Sequence, residues 1–165
     1  MNNTNKPIAD SSEIEITPDY QAVIEAIDRG DPYIFVSGKA GTGKTTLIGH
    51  LRETVSGNVV VVAPTGVAAL QVKGVTIHSF FRLPPRLIFP EEDIKPLRDK
   101  RLYKDIRLLI IDEISMVRAD VLDAIDARLR EVRQRMAEEK RQRMQALQAA
   151  AQLQGSRTEA VATRQ

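Results

Sequence analysis

Apolar positions along this chain change their period several times, and each change predicts a different element. Thr17-Pro18-Asp19 supplies an N-cap and a proline at the first helical position. Val23, Ile24 and Ile27 follow at helical spacing before Gly30, so a short helix is predicted there. Tyr33 to Val36 is a compact β-type run stopped by Ser37-Gly38, and Thr45 to Thr54 reads as a helix with Leu47, Ile48 and Leu51 inside. Val59 to Ala63 is a continuous aliphatic run, the pattern of a strand covered on both faces, and Arg107 to Ile111 is its twin. Strands alternating with helices predict an α/β fold built on a parallel sheet.

Elsewhere the pattern is broken or one-sided. Prolines at 84, 85, 90 and 96 interrupt any period, so residues 82 to 100 are expected to form an irregular surface excursion. Beyond Asp120, Leu122, Ile125, Leu129, Val132 and Met136 recur at alternating helical spacings and predict an amphipathic helix. Residues 137 to 154 are rich in Ala, Gln, Arg and Glu, good helix formers with little to bury, and 155 to 165 read as a frayed end. Residues 1 to 13 are polar and read as a disordered leader.

Composition narrows the class. With 165 residues, 42% of them hydrophobic and 28% charged, the chain is of ordinary globular make-up and suits one domain better than two. Its longest aliphatic runs are too short to span a bilayer, and its first residues lack the basic start and apolar stretch of a secretory signal. The expectation is a soluble, cytoplasmic protein with no membrane partner, in a bacterial-type cytosol or nucleoid. The absence of cysteine rules out disulfides and thiolate metal sites. Net charge is +2, but residues from Arg128 onward hold nine Lys/Arg against four Asp/Glu, which leaves the front part net acidic. Any nucleic-acid binding by that front part has to rest on its motifs rather than on bulk charge.

The strongest motif is Gly38-Lys-Ala-Gly-Thr-Gly-Lys44-Thr45, which matches G-x-x-x-x-G-K-[ST] between a predicted strand and a predicted helix. Glycines let backbone N–H groups turn inward around phosphate oxygens, and the helix that begins there presents its positive end. Gly38, Ala40, Gly41, Thr42, Gly43, Lys44, Thr45 and Thr46 are therefore expected to cradle the triphosphate of ATP, with Lys44 on the β and γ phosphates and Thr45 ligating Mg²⁺. Leu108 to Ile111 followed by Asp112-Glu113 is an apolar strand ending in two carboxylates. Alone, such a pair is more often a solvated helix start. Coupled to the glycine loop, it reads as Asp112 holding Mg²⁺ and Glu113 orienting and deprotonating the attacking water.

Ala63-Pro-Thr-Gly-Val-Ala-Ala69 and Gly74-Val-Thr-Ile-His-Ser-Phe-Phe81 are weaker signals. Thr65 and Gly66 could hold a backbone phosphate of a nucleic-acid strand, and Phe80 or Phe81 could stack on a base, although at least one of the two is better read as core. His78 has no nearby His or Cys with which to build a metal site.

Taken in order and spacing, GKAGTGKTTL, VVAPTGVAALQVKGVTIHSFFRLPP and LLIIDEISMVRADVLDAIDARLREVR resemble motifs I, Ia with Ib, and II of Pif1-like DNA helicases, superfamily 1 enzymes of 5′ to 3′ polarity. The likeness runs from about residue 16 to 134. It implies a RecA-like P-loop NTPase sheet, ATP with Mg²⁺ as cofactors and single-stranded DNA as partner. By that resemblance Gln21, in TPDYQ, occupies the place of the family's adenine-reading glutamine, and Thr65, Gly66, His78 and Phe80 fall in segments that touch the DNA.

After Gln134 the family pattern continues to a motif III strand and a second RecA-like domain, and the sequence here departs from it. Residues 14 to 134 are thus expected to form a partial RecA-like domain, incomplete in its sheet, and 135 to 165 a helical to disordered tail unlike the family. The missing strand lies, in such folds, between the P-loop strand and the Asp-Glu strand, so two central strands would be left without a neighbour. The expected function is the ATP-binding front portion of a helicase, with a non-catalytic ATP- or DNA-binding fragment, or an inactive remnant, as the alternatives.

Overall fold

The computed structural model describes residues 15 to 97 and 101 to 162. The leader expected at 1 to 13 lies outside them. In chain order the elements are α1 (Pro18–Arg29), α2 (Lys44–Thr54), β1 (Asn58–Ala63), α3 (Gly66–Gln71), β2 (Val75–Thr76), α4 (Ile77–Phe81), α5 (Pro90–Asp93), α6 (Arg101–Lys104), β3 (Ile106–Ile111), a single 3₁₀ turn at Ile114–Met116 and α7 (Ala119–Ala162). They divide into two compact units. The first takes the described residues up to Phe80 with Ile106–Met116, and the second takes those of Phe81–Asp105 and those from Val117 onward.

In the first unit three strands form a parallel sheet in the order β2-β1-β3, as the continuous apolar runs predict. Val59 to Val62 of β1 stand opposite Leu108 to Ile111 of β3, and Val62 and Ala63 are fully buried. The register slips once, between Asn58 and Val59. Beside that slip sits Gly57 at φ 106°, where an added Cβ would lie 3.1 Å from the Arg107 Cβ. α1 starts and stops where its sequence signals it: Thr17 Oγ1 accepts the Tyr20 N–H, and Gly30 closes the helix at φ 80°. Helix α2 then supplies the cover. Leu47 and Leu51 pack with Ile27, Leu108 and Ile110, and Ile48 packs with Val61 and Val72. Each such buried aliphatic side chain contributes roughly 1.5 to 3 kcal/mol.

One predicted strand is absent. Tyr33 to Val36 is neither helix nor strand and is exposed, with Tyr33 at 90% and Phe35 at 78%. A strand is stable only when its backbone groups are paired, and β3 pairs with β1 alone. The strand expected between this run and β3 is not in the sheet, so the run has no ladder to join.

The second unit corrects three further expectations. Residues 82 to 97 are not merely a surface excursion, because Leu83 and Ile88 are buried and the segment is tied by its polar groups. Asp93 accepts the Phe89 N–H at 3.0 Å and pairs with Arg86, and Asp120 accepts the Ile88 N–H at 2.9 Å and pairs with Arg118. In α7 the buried positions are Val121, Ala124, Ile125, Arg128 and Val132, while Leu122 is exposed, so the packed face is rotated from the predicted stripe by about one residue. Arg128 lies at its centre, 2% exposed. Its guanidinium donates to the Phe81 carbonyl at 3.3 Å and to the Lys95 carbonyl, and it approaches Glu131 at 3.8 Å. Hydrophobic periodicity scores an arginine as polar and therefore misplaces the face. The helix also continues through Gly155 to Ala162, where the sequence pattern predicts fraying. A single glycine costs about 1 kcal/mol against alanine, which lowers helix propensity without by itself ending a helix.

Hydrogen bonds hold two carboxyls in this unit below their usual range. For Asp120 the Arg118 guanidinium is the larger cause and the Ile88 N–H the next, and for Asp93 the Phe89 N–H leads and Arg86 follows. A carboxyl with a depressed folded-state pKa stabilises the fold fully above its unfolded value of about 3.9, and that stability is lost as pH falls through the folded-state value. Asp120→Asn is therefore expected to lower the urea midpoint at about pH 7 and to flatten the loss of stability between about pH 4 and pH 2. Identical midpoints for wild type and variant at both ends of that range would contradict it.

Candidate nucleotide site

The loop before α2 is shaped by glycines that no other residue replaces without cost. Gly41 and Gly43 take φ 79° and 89°, in the left-handed region, and Gly43 serves as the N-cap of α2 with no side-chain cap. The first N–H groups of α2 therefore have neither an intrahelical acceptor nor a capping side chain, which leaves a donor cluster at the positive end of the helix. At Gly38 an added Cβ would lie 2.7 Å from Thr42 Oγ1, which itself donates to the Lys39 carbonyl at 2.9 Å. Lys44 folds across the same loop, its Nζ donating to the carbonyls of Gly38 at 2.7 Å and Lys39 at 2.9 Å. Thr45 and Thr46 are exposed on the first turn of α2.

Sequence reasoning missed the residue that ties this loop to α1. Tyr20 Oη donates to the Gly43 carbonyl at 2.6 Å, and a Cβ on Gly43 would fall 2.2 Å from that oxygen. Gln21, the next residue, is exposed beside this anchor and donates to Glu25 at 3.0 Å. The TPDYQ string contained the tyrosine, but no periodicity marks a single tyrosine hydroxyl as a tether.

Chain connectivity brings the two motifs to one edge of the sheet. Only residues 55 to 57 separate the end of α2 from the start of β1, so the chain reverses and the N-terminus of α2 lies at the end toward which β1 runs. Because β3 is parallel to β1, with Ile111 opposite Val62, it ends there too. The Asp112 N–H continues the ladder onto the Val62 carbonyl at 2.9 Å, so Asp112 is placed by backbone pairing and is half-buried. Glu113 is exposed at φ 51°, a conformation that costs a non-glycine residue roughly 1 to 3 kcal/mol. Met116 N–H closes the following turn on the Glu113 carbonyl at 2.9 Å. Lys44 and Thr45 thus emerge at the same sheet edge as Asp112 and Glu113. Among the described residues no group of three or more His, Cys, Asp or Glu is placed to hold a metal ion.

Thr65 and Gly66 leave β1 at that edge as well. The Thr65 hydroxyl caps α3 by accepting the Ala68 N–H at 3.2 Å, and both residues are exposed. His78 and Phe80 are half-buried on α4, whereas Phe81 is fully buried, its ring 6.1 Å from that of Tyr103. Of the two phenylalanines, Phe81 is core.

A parallel sheet with a glycine loop feeding its first covering helix defines a P-loop, RecA-like α/β domain. Within that class the chain belongs to the PIF1-like helicase family, whose model matches residues 15 to 145. It is 36% identical over 125 residues to the ATP-dependent DNA helicase PIF3 of Trypanosoma brucei brucei, covering 74% of this chain and 15% of that protein. It is 33% identical to the ATP-dependent DNA helicase PIF1 of Saccharomyces cerevisiae, covering 72% of this chain and 15% of the relative. Among solved structures it is similar to Bacteroides Pif1 in complex with ADP-AlF4, at 41% identity and TM-score 0.67, over 73% of this chain and 29% of that one. A second crystal structure, of Bacteroides Pif1 bound to single-stranded DNA, matches at TM-score 0.65 and 41% identity. The chain therefore corresponds to a helicase-domain fragment that spans a minority of the length of these relatives.

Tyr20→Phe is expected to cost about 0.5 to 1.5 kcal/mol by removing one hydrogen bond. Gly43→Ala is expected to cost more, because it adds about 1 to 2 kcal/mol of left-handed strain and displaces the tyrosine. Since Gly43→Ala already breaks the tether, the two substitutions together should destabilise by less than their sum in a double-mutant cycle of denaturant midpoints. Strict additivity would show that the Tyr20 hydroxyl does not act through Gly43.

Proposed function

We propose that this chain is the ATP-binding portion of a Pif1-like, ATP-dependent DNA helicase, with residues 14 to 134 as a partial RecA-like domain and 135 to 165 as an appended helical tail. The observation that carries the reading is the emergence of the α2 N-terminus and the end of β3 at one sheet edge. There the Gly38 to Thr46 loop cradles the triphosphate through backbone N–H groups and the positive end of α2. Lys44 exchanges its loop carbonyls for the β and γ phosphates. Thr45 and Asp112 hold Mg²⁺, which neutralises charge on the phosphates when bound. Glu113 orients the attacking water and accepts its proton. Gln21, set beside the Tyr20 anchor, reads the adenine. Thr65, Gly66, His78 and Phe80 contact single-stranded DNA, the first two by backbone and hydroxyl donors and Phe80 by stacking.

In the intact family, hydrolysis at such a site drives translocation along single-stranded DNA and unwinding, in repair, recombination or genome maintenance. The exposed Tyr33 to Val36 run favours binding over turnover in this chain, since the segment leading into the loop has no sheet to hold it. Arginines that stabilise charge on a transferring phosphoryl group are worth roughly 10³ or more in rate. Such residues are expected in parts of the relatives that this chain does not span.

The test is titration of the chain with a fluorescent ATP analogue. Mg²⁺-dependent binding is expected, weakened at least about tenfold by Lys44→Ala or Asp112→Asn (about 1.4 kcal/mol), with slow turnover and no unwinding by the chain alone. Affinity indifferent to both substitutions and to Mg²⁺ would sink the assignment of the site.

A further inference from the structure

The basic excess of the chain sits on a largely exposed part of α7. From Arg133 to Gln148 the helix carries five Lys/Arg against two Glu, and apart from the half-buried Arg135 and Met136 every side chain in that stretch is exposed. Three of the five cations lie on one side of the helix, and Arg135 and Arg143 lie toward the side of Glu138 and Glu139. Arg133 and Lys140 are seven residues apart, and Arg130 and Arg141 eleven, both near whole numbers of turns, so these four share one side of the helix with Ala137 and Met144. Glu131 and Glu138, also seven apart, lie on another side, and Glu131 binds Arg135 at 3.0 Å. Arg130 pairs with Asp126 at 2.7 Å, but both are well exposed and such a pair is weak.

We infer that this face of α7, formed by Arg130, Arg133, Lys140 and Arg141, is a docking surface for the phosphate backbone of a nucleic-acid strand. It uses none of the residues of the Thr65 to Phe80 segments proposed above and does not rest on that proposal. Charge complementarity selects the occupant. The four cations are spread over about 16 Å of helix, enough for each to meet a different phosphate. A bilayer-surface helix would need a broad apolar face opposite its charges, and the stretch carries only Met144 and Leu147 as exposed large apolar residues. A coiled-coil partner would need apolar positions sustained over several heptads, and Lys140 interrupts that seam.

The test uses the full chain and a fluorescein-labelled oligothymidine, with anisotropy read over a range of NaCl concentrations. The triple variant Arg133→Gln/Lys140→Gln/Arg141→Gln keeps good helix formers, and circular dichroism checks that α7 is retained. Its affinity is expected to fall about tenfold or more at low salt. The slope of log K against log salt should be shallower by about 2, the value for three single-strand phosphate contacts. Arg143→Gln, an exposed cation on another side of α7, should leave both quantities nearly unchanged, which tells this face from the charge of the helix as a whole. A labelled duplex of the same length shows whether the strand must be single. An unchanged affinity and slope in the triple variant would overturn the inference. So would equal binding to phosphatidylserine-containing vesicles, or salt-insensitive self-association of the chain through α7.

Discussion

The parallel pairing of β1 with β3 is the constraint on which the candidate site depends. It sets Val62 against Ile111, and the next backbone N–H, that of Asp112, is captured by the Val62 carbonyl. Slipping the pairing by one residue would turn Asp112 to the other face of the sheet and move Glu113 out of its turn. Helix α2 packs Leu47, Ile48 and Leu51 onto the same two strands, so one apolar layer fixes the height of the glycine loop and of the carboxylates together. Burial and site geometry are here consequences of a single register.

Around that layer the polar contacts do local work. Left-handed Gly41 and Gly43 turn the loop into the first turn of α2, and the Tyr20 hydroxyl holds it against α1. Lys44 meanwhile satisfies its ammonium on two loop carbonyls. In the second unit Arg128 plays a different part. Its buried guanidinium satisfies the carbonyls of Phe81 and Lys95 and so anchors an irregular segment that has no ladder of its own.

Membership in the PIF1-like helicase family gives these features a common sense, since the matched span takes in the glycine loop, the Asp-Glu strand and the segments between. It also gives meaning to the exposed run at Tyr33 to Val36. An apolar, β-prone segment left in water is a cost that a neighbouring strand would remove, and β3 offers no second partner to it. No described helix is long and apolar enough to cross a membrane.

Much of this was legible in the amino-acid order. Cap, proline and glycine positions bounded α1, and continuous aliphatic runs identified β1 and β3. The spacing of glycines, lysine and threonine marked the loop, because each is local chemistry that a neighbour a few residues away completes. What the sequence could not settle depended on partners distant along the chain. Tyr33 to Val36 has the composition of a strand, yet a strand exists only when another backbone accepts its hydrogen bonds. The buried face of α7 was decided by Arg128, whose polarity is cancelled by carbonyls 33 and 47 residues away. Tyr20 became part of the candidate site only because folding set its hydroxyl beside Gly43. Local pattern determined which elements can form, and long-range hydrogen bonding decided which did and which side of each was buried.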